Sequence, residues 1–175
     1  MRSLAVPLLL ISAALLSACA STPSTEQPTA GNDSPSSSAA TVNANLAQLQ
    51  QQASRGDLES QFQLGNQYFN AQPKKDLKQA EYWWKQAADK GHAMSAVSLA
   101  YLYTGRNDQT LSNPAQMLKY LNQSAAGGNP MAQHILGTLY QRGDQGVTQD
   151  PGQARRLFQS ACQQNYEPSC KALGN

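Results

Sequence analysis

The sequence predicts an all-α protein, an α/α solenoid of helical hairpins, and three observations predict it. Gly56, Gly91, Gly128 and Asn165 recur at intervals of 35, 37 and 37 residues. Around these marks the same residue types return at fixed offsets: Leu64, Leu99, Leu136 and Leu173, each followed by the small Gly65, Ala100, Gly137 and Gly174. Tyr68, Tyr103 and Tyr140 keep a third register, and Asp76, Asn113 and Asp150, all helix-capping types, keep a fourth. A unit of this length cannot bury its apolar stripe alone, so neighbouring units must stack to make the core.

The chain of 175 residues begins with a segment that lies outside this rhythm. Residues 1–18 have the layout of a secretory signal peptide. Arg2 gives a positive start, residues 4–16 form an apolar run too short to span a bilayer comfortably, and Ser17 and Ala18 are small. Leu16, Ser17, Ala18 and Cys19 together resemble the lipobox of bacterial lipoproteins. That resemblance implies cleavage before Cys19 and acylation of this cysteine, with palmitate among the attached chains. Ala20 stands where the family's inner-membrane retention signal has Asp, which implies the outer membrane, with the body on its periplasmic face. Several acyl chains on one residue suffice for lasting attachment.

Residues 19–42 are the lipidated cysteine and a linker of Ser, Thr, Ala and Pro with a single aliphatic residue, Val42. Such a composition cannot offset the entropy of ordering itself, so it is expected to be a disordered tether with a reach of roughly 25 Å. Residues 43–175 hold the repeats, expected as three full units with a half unit at each end. The expected helices are a lead-in at 43–55, then 57–71, 76–90, 92–104, 113–126, 129–142 and 150–163, and a short closing helix at 166–174. Asp76, Asn113 and Asp150 suit the start of the second helix of each hairpin, and Pro114 and Pro151 follow two of them at the favoured first helical position. The marks themselves are residues that tolerate a left-handed backbone, which stops one helix tightly before the next begins. Between the Tyr and Asx registers the first unit is two residues shorter than the others, which places a shorter loop there.

These registers resemble the Sel1-like repeat family, relatives of the tetratricopeptide repeat. The run from Met131 to Ala161 carries the family pattern of Ala, Leu-Gly, Leu-Tyr, Gly, Gly-Val, Asp, Ala, an aromatic and Ala, and the run from Ala80 to Ala93 matches its helix-turn junction. The first two units lack the Gly-Val loop. The resemblance implies a right-handed superhelix. With Cys19 assigned to the lipid anchor, Cys162 and Cys170 remain as an even pair, which reads as one disulfide in an exported protein. The last junction also resembles the cysteine-rich branch of the family, in which such a pair staples one hairpin to the next.

Other chemistry finds no support in the sequence. His92, Met94, Met131 and His134 are soft or borderline ligands, but they fall in different hairpins at non-equivalent positions, so no metal or other cofactor is expected. No metalloprotease, nucleophile-elbow, Ser-x-x-Lys or phosphate-loop motif is present, and no catalytic residue is assigned. The formal net charge of +2 gives no reason to expect nucleic acid as a partner. The chain is therefore expected to be a non-enzymatic scaffold or adaptor that binds an envelope protein or peptide during assembly or secretion, touching the membrane only through its lipid. Two other roles within the family's reach are immunity against a toxin delivered to the periplasm, and hydrolysis of β-lactams or cell wall. The residues proposed for partner contact are Trp84, Tyr101 and Arg155. Trp83 is placed in the core; Trp84 is placed between hairpins or partly exposed as an anchor.

Overall fold

The computed structural model describes residues 36–174, with side-chain environments from residue 44 onward. The expected signal peptide, Cys19 and residues 20–35 of the linker lie outside the described residues. Eight α-helices follow one another: α1 (Ser36–Ser54), α2 (Leu58–Asn70), α3 (Leu77–Ala88), α4 (Ala93–Leu102), α5 (Pro114–Ala126), α6 (Pro130–Arg142), α7 (Pro151–Gln163) and α8 (Glu167–Ala172). A 3-10 turn, Gln109–Leu111, sits in the α4–α5 loop. There are no strands among the described residues. Each helix packs chiefly against the one before and the one after it, closest within the pairs α2–α3, α4–α5 and α6–α7. The hairpins therefore form a solenoid.

One boundary differs from the sequence-based expectation. α1 begins at Ser36, so residues 36–42 are helical and do not belong to a disordered linker. Once the packed part of a helix exists, each added residue costs little, and Ala39 and Ala40 are strong helix formers with no Pro or Gly behind them until the turn at Gly56.

The turn between hairpins is the same device four times. Gly56, Gly91, Gly128 and Asn165 have φ of 94°, 94°, 85° and 61°, the left-handed region. At each, the following residue's amide N–H reaches back to a carbonyl near the end of the preceding helix: Asp57 to Gln52, His92 to Ala87, Asn129 to Ser124 and Tyr166 to Ala161, at 3.1 to 3.2 Å. This reverse-turn closure satisfies carbonyls that the helix end would otherwise leave free. Within the hairpins the Tyr and Asx registers are joined by backbone bonds, Asp76 N–H to Tyr68 O (3.0 Å), Asn113 N–H to Tyr103 O (2.9 Å) and Asp150 N–H to Tyr140 O (2.8 Å). Each Asx side chain then caps the next helix, accepting from the amide of Gln79, Gln116 or Gln153.

Packing within a hairpin rests on size complementarity. A Cβ added to Gly65 of α2 would lie 2.4 Å from the Trp84 ring of α3, and one on Gly137 of α6 would lie 2.8 Å from the Phe158 ring of α7. The equivalent residues in the middle hairpin are Ala100 and the smaller Leu121, both buried. The core is deepest there, around the fully buried Leu99, Leu102 and Tyr120, because hairpins cover it on both sides. Each such side chain contributes about 1.5–3 kcal/mol.

At the last junction Cys162 and Cys170 are joined, with Cα atoms 4.8 Å apart. Their positions correspond to Ala53 and Gln61 at the first junction and to Ala125 and Gln133 at the third, where the Gln amide donates to the Ala carbonyl (3.0 and 3.3 Å). A covalent bond thus occupies the place of a side-chain hydrogen bond. At the second junction Ala96 has no amide, and Gln123 of α5 caps the Ala88 carbonyl in its place.

Two stability outcomes are expected. Gly65→Ala should cost about 2 kcal/mol through overpacking, and in a double-mutant cycle with Trp84→Leu the two changes should couple favourably by about 1 kcal/mol, since the pair then matches Ala100 and Leu121. Removing the disulfide as Cys162→Ala with Cys170→Ala should lower urea stability by about 2.5 kcal/mol. Pairing Cys162→Ala with Cys170→Gln should recover about 1 kcal/mol of that by rebuilding the amide-to-carbonyl bond of the other junctions.

Candidate protein-binding face

The first helix of each hairpin carries a stripe whose residues are exposed or half-buried. Counting from the turn, the positions three, seven and ten residues on share one helix face. On α2 they are polar: Glu59, Gln63 and Asn66. On α4 they are Met94, Ser98 and Tyr101, and on α6 Met131, Ile135 and Thr138. Met94, Tyr101 and Met131 are 40 %, 46 % and 39 % exposed, so three large apolar side chains meet solvent on neighbouring hairpins. Asn129 Nδ2 lies 3.0 Å from Met94 Sδ, which brings the start of α6 against this part of α4. Beside Tyr101 runs a groove of about 280 Å³ walled by Val97, Met117 and Ile135, with Arg106 at its rim. The Tyr101 ring stands edge-on to Phe69 at 6.2 Å, which fixes its base while leaving its outer edge free.

The three residues singled out for partner contact from sequence fare differently. Tyr101 is on this stripe. Arg155 is exposed on α7 but borders a different groove, with Gln141, Pro151, Phe158 and Leu173, so it is not brought together with Tyr101. Trp84 is not a surface anchor: it is 2 % exposed, its ring fills the space left by Gly65, and its indole N–H donates to Phe62 O and Asn66 Oδ1, both at 3.2 Å. Trp83, placed in the core from sequence, is half-buried, while its register mate Tyr120 is fully buried. The rule that adjacent helical residues diverge holds; which of the two faces inward is decided by the Gly65 gap, a feature of the facing helix.

The two histidines are engaged in building the scaffold. His92 caps α4, its Nδ1 accepting from the Ser95 amide at 3.2 Å, as Asp57 and Asn129 do for α2 and α6. Its Nε2 then carries the proton and lies 3.4 Å from Glu59 Oε2. His134 packs between Phe158 and Tyr166, ring centroids 5.4 and 5.5 Å away, with Nδ1 2.9 Å from Ser169 Oγ. Burial holds its imidazole below the ordinary histidine range. The Tyr103 hydroxyl is pushed up by burial and by its 2.6 Å bond to Glu81. Among the described residues no three His, Cys, Asp or Glu side chains come together as a group able to hold a metal ion. Nor is any described helix long and apolar enough to cross a membrane.

Sequence reasoning missed the capping glutamines. Gln61 and Gln133 recur five residues after the turn, and Cys170 takes the same register, so the signal was present.

The comparisons with known proteins agree with this geometry. Three stretches, residues 58–92, 93–129 and 130–166, match the Sel1 repeat, each beginning at the first helix of a hairpin and ending one turn past the second. Among solved structures, the Sel1 repeat protein from Oxalobacter formigenes is similar at 28 % identity and a TM-score of 0.66, covering 74 % of this chain and 97 % of that one. The protein c5321, a protective antigen present in uropathogenic Escherichia coli strains and displaying an SLR fold, is similar at 25 % identity and a TM-score of 0.64. That likeness covers 74 % of this chain but only 28 % of the antigen. No curated protein matches.

The half-buried His134 makes stability depend on pH. The unfolded chain takes up a proton near pH 6.5 that the folded chain resists, so its contribution is complete above that value and is lost as pH falls below it. Melting temperature should therefore fall between about pH 7.5 and about pH 5.5, and His134→Val, which copies Val97 of the previous unit, should flatten that part of the profile.

Proposed function

We propose, for a chain that belongs to the Sel1 repeat family and so offers stacked helical hairpins as a scaffold for binding other proteins, that it works at the cell envelope. Acyl chains on Cys19 tether it to the periplasmic face of the outer membrane. An envelope protein or peptide, engaged during assembly or secretion, lies along the stripe formed by α4 and α6. In this reading the scaffold is non-enzymatic, and the Cys162–Cys170 disulfide supports a likeness to the cysteine-rich branch of the family.

The observation that carries the binding role is the exposure of Met94, Tyr101 and Met131 at 39 to 46 % on adjacent hairpins, beside the groove at Tyr101. Amphipathic aromatic and Met side chains supply much contact area at small entropic cost and are enriched at interfaces, where a few of them dominate affinity. The lipobox-like residues ahead of Cys19, Ala20 after it, and the Ser- and Pro-rich stretch that follows support the anchored location.

A photo-crosslinking amino acid at position 101 should capture one partner in intact cells, and the same group at exposed Gln159 on α7 should not. Tyr101→Ala combined with Met131→Ala should weaken that partner's binding at least about tenfold without lowering the melting temperature. Cys19→Ser should abolish incorporation of labelled palmitate and release the protein from membranes. Equal capture from both positions would remove the assigned face, and membrane association unchanged by Cys19→Ser would remove the anchor.

A further inference from the structure

The cleft between the α1–α2 turn and α3, about 310 Å³, is unlike the other junctions in what it leaves unmet. Gln61 lines it and is 3 % exposed. Its Nε2 donates to the Ala53 carbonyl, which can only accept, so the orientation of the amide is fixed and Oε1 faces elsewhere. That oxygen and the Trp83 indole N–H are both buried and have no hydrogen-bond partner among the described residues. Arg55 and Lys90 border the same cleft, and no acidic side chain does. The Lys90 ammonium lies 3.3 Å from where a Cβ on Gly56 would stand. Tyr82, half exposed, sets its ring edge-on to Trp83 at 5.0 Å.

The same positions at later junctions are self-satisfied. Gln133 is the counterpart of Gln61, and its Oε1 accepts from Gln164, which stands where Lys90 stands in the first unit. Leu157 replaces Trp83 there, so no donor is stranded. At the second junction Ala96 replaces Gln61, and Tyr120, the counterpart of Trp83, donates to Asp89 at 3.3 Å. A buried donor and a buried acceptor left open together, at one junction of the series and beside two cations, specify a ligand's chemistry: an anionic acceptor with an N–H next to it.

We propose that this cleft binds a carboxylate flanked by a peptide amide, as at the carboxyl end of a peptide or at an acidic residue within one. The carboxylate accepts from Trp83 Nε1–H and is neutralised by Lys90 and Arg55; the amide N–H donates to Gln61 Oε1; Tyr82 covers the ligand's flank. The cleft uses α3 and the first turn, so it is separate from the apolar stripe on α4 and α6 and stands whether or not that stripe binds a partner.

The chain contains two tryptophans, which gives the test an internal control. The nitrogen-15-labelled full chain in detergent micelles is titrated with N-acetyl-dialanine, with the α-amide of N-acetyl-aspartate, and with the neutral N-acetyl-dialanine amide. The Trp83 indole N–H resonance, assigned by its loss in Trp83→Phe, should move with at least one carboxylate ligand, while that of Trp84, already held by Phe62 and Asn66, stays in place. The neutral amide should bind at least about tenfold more weakly, and Lys90→Met should weaken the carboxylate ligands about fivefold with no change in melting temperature. The tighter of the two carboxylates identifies the source as a chain end or an acidic side chain. An unmoved Trp83 resonance at millimolar ligand overturns the proposal, as does equal binding of the neutral amide or an unaltered response in Lys90→Met.

Discussion

Everything in this fold hangs on one residue per junction holding a positive φ. At Gly56, Gly91, Gly128 and Asn165 the chain must end one helix and begin the next within a few residues, and only the left-handed conformation turns it that sharply while its amides still reach back to the helix end. The residue after each mark is then positioned to open the next helix, and three of the four do so with their own side chain: Asp57, His92 and Asn129. Because the turn sets both the end of one helix and the phase of the next, it also decides which residues five positions later return to the carbonyl three positions before. That return is an amide at two junctions and a disulfide at the last.

A second constraint acts inside the hairpins. Close approach of α2 to α3 and of α6 to α7 needs glycine, and the room that glycine leaves is taken by an aromatic ring. The middle hairpin reaches the same density with Ala100 and Leu121, a smaller exchange of volume across the same pair of positions. Interiors at crystalline packing density do not tolerate one side of such an exchange without the other.

Most of the architecture was legible in the sequence because its causes are local. The turn marks, the Asx caps and the Leu and Tyr registers each have a reason that acts within one or two helical turns, and the helices fall where those reasons put them. The start of α1 was not legible: Ala39 and Ala40 favour helix but the Ser and Thr around them do not, and the helix there is an extension of a packed segment further on. Exposure on the helix faces was half legible. Tyr101 is exposed, as its place off the inward register suggests, whereas Trp84 is buried because a side chain is missing on the facing helix. Arg155 is exposed as its charge suggests, yet its groove is set by α8, and nothing in its own helix reveals that.

The neighbour-only contacts between helices give the row a direction of failure. A compact bundle loses its structure at once, whereas a row can unravel from an end, one helix at a time, leaving the remainder standing. The carboxy-terminal end is clasped by a covalent bond and, among the described residues, the other end is closed by α1, so melting should start from the side of the first turn and travel toward the clasp.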